Sequence, residues 1–144
     1  MKNLKTRVIL TLMTMLFTSF LIINGCGSGN DPEKGIGPVT EVKLDSAINP
    51  ELVAKGKAIF DIKCVQCHQI GNKLVGPPLQ DVTKRRKPEW IMNQILNPEQ
   101  MLKENMIAKN MAMSGEYPTP MTFQNVTEDD ARAILEFFRN NDKK

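Results

Sequence analysis

The chain has 144 residues, enough for about one domain and too few for a large multidomain enzyme. Hydrophobic residues at 41% and charged residues at 24% are ordinary for a globular protein, and three cysteines with a single histidine bound the chemistry tightly. The formal charge of +3 comes from the N-terminus: Lys2, Lys5 and Arg7 precede any acid, and a chain starting at Cys26 would carry 16 charges of each sign, which leaves no basic excess for nucleic acid.

A basic start over residues 1–7 leads into an uncharged, mostly apolar run of 16 residues, Val8 to Ile23. That run is short for a permanent span, which needs about 20 apolar residues, and has the layout of an export signal. It ends in Ile23-Asn24-Gly25-Cys26, which resembles a bacterial lipoprotein cleavage box. The resemblance implies a signal peptide over 1–25, a lipidated Cys26 and a periplasm-facing domain on the inner or the outer membrane. Acyl chains anchor by burial, at about 0.8 kcal/mol per CH₂. Exported thiols tend to oxidise, so Cys64 and Cys67 are expected to have a partner.

Residues 26–49 are rich in turn formers, among them Gly27-Ser28-Gly29-Asn30-Asp31-Pro32 and Gly35-Ile36-Gly37-Pro38, and show no helical or strand period. They are expected to form a flexible, lipid-anchored linker with a reach of roughly 75 Å at about 3.3 Å per residue. The folded domain is then 50–144.

Four helices are predicted there, and no strand of useful length, so the class is all-α. Asn49-Pro50-Glu51 supplies a cap, a Pro at the first helical position and an acid for the dipole, and the helix runs to about Lys63. A loop follows over 69–87. Pro88-Glu89-Trp90 opens a second helix that Asn97-Pro98 stops. A third runs from Pro98 to about Met113, with Gly115 beyond its end. Tyr117-Pro118-Thr119-Pro120 is extended, since proline forbids helix. Thr127-Glu128-Asp129-Asp130 resembles a capping box and leads a last helix through Asn140, with Ala131, Ile134, Leu135 and Phe138 on its apolar face.

The chemistry lies at Cys64-Val65-Gln66-Cys67-His68. C-x-x-C-H is the attachment signature of c-type haem. Two Cys three apart reach the two vinyl groups on one porphyrin edge as thioethers, and the adjacent His supplies an imidazole nitrogen to iron. The rivals fit less well. A redox C-x-x-C belongs in a βαβ context, and a structural zinc site takes four Cys or His ligands.

The segment 50–140 resembles class I cytochrome c, the small monohaem electron carriers. Besides the pentapeptide, Gly56 and Phe60 lie eight and four residues before Cys64, and Leu135 with Phe138 matches a Leu-x-x-aromatic pair in the last helix. Gly76-Pro77-Pro78-Leu79 resembles the family's Gly-Pro-x-Leu loop. The resemblance implies about four helices around one covalently attached haem c, a Gly-aromatic crossing of the first and last helices, and a Pro77 carbonyl that accepts from His68 and raises its basicity.

With one histidine, bis-His ligation within the chain is excluded, and the sixth iron position falls to Met, Lys or nothing. After the signal peptide the methionines are Met92, Met101, Met106, Met111, Met113 and Met121. Most lie in predicted helices, where a thioether fills core space. Met121 follows a proline-stiffened extended stretch, and the resemblance implies a ligand methionine in such a loop; Met111 and Met113 stay open. Lys84-Arg85-Arg86-Lys87 reads as a solvated run, with a propionate clamp or docking patch as the functional alternative. The expected function is single-electron transfer between a donor and an acceptor redox protein by a membrane-anchored monomer without enzymatic activity. The alternatives are a haem-based ligand binder, sensor or small peroxidase with a labile sixth ligand, and a dedicated subunit of a respiratory enzyme.

Overall fold

Asn49 begins the first helix by accepting, through its side-chain oxygen, from the N–H groups of Glu51 and Leu52 at 2.9 and 3.2 Å. In the computed structural model, which describes Asn3, 31–115, Tyr117 and 119–143, this helix is α1 (Pro50–Lys63). It is followed by α2 (Val82–Arg85), α3 (Pro88–Leu96), α4 (Pro98–Glu104), α5 (Met106–Met113) and α6 (Glu128–Asp142). The described residues contain no strand, and none of their helices is long and apolar enough to cross a membrane. The signal-peptide run and Cys26 lie outside the described residues, apart from Asn3.

Thr127 and Asp130 start α6 with a reciprocal capping box, two bonds of 3.2 Å that satisfy otherwise orphaned N–H groups. Helices α1 and α6 meet at Gly56. A Cβ there would lie 2.0 Å from the Ala133 carbonyl oxygen, so glycine is what lets the two backbones touch. Beside the contact, Phe60 meets Phe137 and Phe138 with ring centroids 5.4 and 5.9 Å apart. Such aromatic pairs contribute about 0.5–1.5 kcal/mol beyond the area they bury. Trp90, Ile91 and Met92 of α3, Met101 of α4, and Ile134 and Leu135 of α6 complete the core.

Several expected boundaries are corrected. The all-α class holds, and the described residues carry six helices where about four were expected. The predicted third helix breaks at Asn105, whose buried side-chain oxygen accepts from Ile107 N–H and Ala108 N–H, both at 3.1 Å, and so starts α5 afresh. The expected loop 69–87 contains α2, whose first N–H groups are capped from a distance. Asp142, in the last turn of α6, accepts from Asp81 N–H at 2.7 Å, Thr83 N–H at 2.9 Å and the Thr83 hydroxyl at 2.7 Å.

Residues 31–49 are not the flexible linker expected over 26–49; residues 26–30 lie outside the described residues. Residues 31–49 form a strap against the helices, with Val39 buried. Asn93, itself buried, clamps it: Oδ1 accepts from Val39 N–H at 3.0 Å, and Nδ2 donates to the carbonyls of Val39 and Lys34 at 2.8 and 3.0 Å. Glu89 accepts from Val42 N–H, Asn105 donates to the Pro32 carbonyl, and the Met101 sulfur accepts from Ile36 N–H. Gly37 passes so close to Asn93 that a Cβ would fall 2.4 Å from its Oδ1. Turn-rich composition without a period identifies irregular backbone; these buried polar side chains make that backbone a fixed part of the domain.

The strap joins α1 at a buried carboxylate. Glu136 is 1% exposed and accepts from Asn49 N–H at 3.0 Å, Arg132 at 2.7 Å and Arg139 at 2.8 Å. Burial alone would raise its pKa; the Asn49 amide and the two guanidiniums outweigh that and hold it below the ordinary carboxylate range.

Candidate cofactor site

The last turn of α1 delivers Cys64, whose N–H donates to the Phe60 carbonyl at 2.9 Å. The chain then turns tightly, and the N–H groups of Cys67 and His68 both donate to the Cys64 carbonyl, at 3.1 and 2.9 Å. Residues 69–80 fold back on this turn. Gly76 N–H donates to Cys67 O at 2.8 Å, Leu79 N–H to Gln69 O at 3.1 Å and Gln80 N–H to Ile70 O at 2.6 Å.

That return lays Gly76-Pro77 on the imidazole. His68 Nδ1 is 3.2 Å from the Pro77 carbonyl oxygen. A carbonyl only accepts, so Nδ1 carries the hydrogen and Nε2 keeps its lone pair. A Cβ at Gly76 would lie 2.3 Å from His68 Cε1, so any larger residue would push the loop off the ring. Burial lowers the His68 pKa, and the bond to Pro77 opposes it only in part. The ring is therefore neutral at pH 7, the state in which imidazole binds a metal.

The cysteines differ. Cys67 is exposed, while burial pushes the half-buried Cys64 thiol up to about 11, against the pull of the Lys63 charge. Lys63 also ties in the next segment: its ammonium donates to the Gln124 and Asn125 carbonyls at 2.9 and 3.0 Å. The stretch 119–127 is thereby pinned beside the helix end that carries Cys64. Tyr117 lies under the Lys73 ammonium, 5.0 Å from the ring centroid, and Pro118 lies outside the described residues.

The six methionines separate by environment. Met92 and Met101 are buried in the core, and the Met101 sulfur is engaged by Ile36 N–H. Met106 and Met113 are 65% and 82% exposed, and Met111 packs half-buried against the core. Met121 is half-buried in irregular backbone, with its sulfur 3.8 Å from Gln94 Nε2.

The basic run works mainly as local fastening. Lys84 pairs with Asp81 at 2.7 Å, and Lys87 with Asp31 of the strap at 2.9 Å. Arg85 donates to the carbonyls of Gln80 and Pro78, holding the return loop next to Pro77. Arg86 stacks over Trp90, 5.3 Å from its ring centroid, while the indole N–H donates to Asn105 Oδ1 at 3.2 Å. Sequence reasoning missed Lys63, Asn93, Gln94, Asn105, Glu136 and Asp142. The available signal was polarity out of place, as with Asn93 after Trp90-Ile91-Met92.

The donor set suits a haem. It offers two thiols spaced for two vinyl groups, a neutral imidazole with Nε2 free, and a half-buried thioether. The same segments leave Val65, Leu74, Val75 and Phe123 exposed, an apolar surface that a macrocycle would cover. Among the described residues no group of three or more His, Cys, Asp or Glu could hold a bare metal ion.

Residues 53–142 match the cytochrome c family. The chain is 30% identical over 93 residues to cytochrome c-551 of Stutzerimonas stutzeri, covering 63% of this chain and 81% of that protein. Its structure is similar to that of a cytochrome c from Rhodothermus marinus, with a TM-score of 0.74 at 40% identity, over 78% of this chain and 98% of that one. An engineered Rhodothermus marinus cytochrome c bound to a carbene intermediate gives a TM-score of 0.71 at 37% identity, over 79% and 100% of the two chains. The chain belongs to the cytochrome c family, as a haem-binding electron-transfer protein whose haem c is covalently attached.

Proposed function

We propose that this chain is a membrane-anchored carrier of single electrons between redox proteins, with His68 and Met121 as the axial iron ligands and Cys64 and Cys67 as the thioether attachments. The observation that carries the reading is the sorting of the methionines. Two are locked in the core, two point into solvent, Met111 packs against the core from α5, and Met121 sits half-buried in irregular backbone on a segment that Lys63 pins beside the attachment motif. Bound haem supplies a one-electron iron centre, and His/Met ligation raises its potential. The protein's part is rigidity. Pro77 fixes the His68 tautomer and ring plane, Gly76 admits that contact, and Lys63 holds the segment that carries Met121. Ligands held in both oxidation states keep the reorganisation between them small.

Cys26 is the proposed lipid attachment. Four residues, 27–30, separate it from the strap at Asp31, so the connection spans at most about 18 Å at 3.6 Å per residue. Mass analysis of the mature N-terminal peptide tests this, and an unmodified Cys26 would remove the anchor.

The electronic reading is tested by the visible spectrum of the reduced, matured protein with and without CO. Sharp bands that CO does not change support a closed carrier site. A shifted Soret band would instead support a ligand binder, sensor or small peroxidase. Purification at fixed stoichiometry with a respiratory enzyme would make the chain an obligate subunit.

A further inference from the structure

Helix α5 has two unlike faces. Ile107, Ala108 and Met111 turn inward and pack on the core. Met106, Lys109, Asn110 and Met113 form the outer row, spaced i, i+3, i+4 and i+7, and all four are exposed. A surface helix ordinarily keeps polar residues on that side. Here both ends of the row are methionines, 65% and 82% exposed, and the helix carries no acid. Core filling explains Met92, Met101 and Met111 but not this pair.

The strap brings the N-terminal end of the domain to the same helix. Asn105 caps α5 by accepting from Ile107 and Ala108 N–H, and its Nδ2 donates to the Pro32 carbonyl at 2.8 Å. One buried side chain thus joins the start of α5 to the start of the strap. Asp31, one residue nearer Cys26, is held by Lys87 at 2.9 Å. Pro32 follows Cys26 by six residues, which span at most about 22 Å at 3.6 Å per residue. A lipid on Cys26 therefore keeps the bilayer surface within that reach of the first turn of α5.

We propose that the outer face of α5 rests on the membrane leaflet that holds the Cys26 lipid. Met106 and Met113 enter the acyl boundary, and Lys109 between them lays its stem along it with the ammonium at the lipid phosphates. Two methionines would bind a free domain to a membrane only weakly. A short tether makes the second contact intramolecular, at a high effective concentration. The domain then stands on α5 in one orientation instead of swinging about Cys26. The inference rests on the reading of Cys26 as lipid-bearing.

The test compares the matured, lipidated holoprotein on vesicles of phosphatidylcholine and phosphatidylethanolamine with a Cys26→Ser chain exported by a non-lipoprotein signal and free in solution. A water-soluble chloramine converts accessible thioethers to sulfoxides, and peptide mass analysis gives the rate at each methionine and the lipid on Cys26. On vesicles, Met106 and Met113 are expected to oxidise about tenfold more slowly than in the free chain, the scale of burying one methionine. Met106→Glu puts a charge on the face, with Met113 as reporter. Its protection is expected to disappear, while the reduced visible spectrum and the denaturant midpoint stay as in wild type. Equal rates on vesicles and in solution, with Cys26 lipidated, would overturn the inference and leave the anchor standing. So would protection of Met113 that survives Met106→Glu. An unmodified Cys26 would overturn the anchor and the inference together. Protection that appears in the free chain as its concentration rises would assign the face to a second copy instead.

Discussion

The strap over 31–49 and the site segments over 64–80 and 119–127 are both irregular backbone, held in opposite ways. Irregular backbone must find partners for its N–H and C=O groups wherever it leaves water. The strap finds them in side chains rooted on helices, chiefly Asn93, Asn105, Glu89 and Glu136. The return loop 69–80 finds them mostly in neighbouring backbone and in Arg85, and the site segments leave Val65, Leu74, Val75 and Phe123 exposed. One region is complete as polypeptide. The other presents apolar surface for a group that the chain does not encode.

Removing the cofactor breaks this contrast most severely. In the Cys64→Ala, Cys67→Ala double variant, covalent haem is lost completely, read by haem staining after denaturing electrophoresis. Hydrogen exchange then rises across 69–80 and 119–127 more than across 31–49; uniform exchange would show that the two regions fold as one unit.

Next in size is the carboxylate at the strap's junction with α1. Glu136→Ala strands two arginines and the Asn49 amide, and a cost of about 3 kcal/mol is expected from the breaking of a buried ion pair. Because the folded-state pKa of Glu136 is lowered, its stabilisation is complete above the ordinary glutamate range. It is lost as pH drops through the depressed value. Glu136→Gln should therefore flatten the acid side of the stability profile, measured by denaturant midpoints from pH 7 downward.

Asn93→Ala tests the strap clamp directly. It strips the buried N–H and C=O of Val39 of their partner, for an expected loss of about 1–3 kcal/mol. Exchange at 34–42 should quicken while the reduced visible spectrum stays as in wild type. A changed spectrum would mean that the strap and the site are coupled. The smallest effect is expected at Lys87→Ala. The ion pair with Asp31 is exposed on both sides, and screened surface pairs contribute little, so no measurable change in the denaturant midpoint should follow.

What the sequence made legible follows from how local each cause is. The caps at Asn49 and Thr127, the proline starts of α3 and α4, and the turn at Gly115 with its φ of +72° depend on residues within one turn of each other. The attachment motif is legible for the same reason. The Gly56 crossing and the Pro77–His68 contact span longer distances, and only family resemblance pointed to them. Contacts made by single polar side chains across the fold stayed hidden: Asn93 to a strap 54 residues earlier, Lys63 to carbonyls 61 residues later, and Gln94 to Met121. No periodicity encodes such pairings. Composition misled outright at 31–49, where glycine and proline were read as freedom although Gly37 is there for close approach to Asn93.

The three bonds that Asp142 makes to Asp81 and Thr83 bear on the order of biosynthesis. α2 is fastened by Asp142 of α6, and the loop that lies on His68 leads into α2 and is gripped by its Arg85. A ribosome supplies that carboxylate 75 residues after Cys67. Until then the imidazole's backing loop lacks its far support, and the motif stays open to whatever machinery joins haem to it. Docking of α6 then closes the fold behind the attached cofactor. Asp142→Ala would leave every predicted attachment and ligand residue in place and still loosen the site.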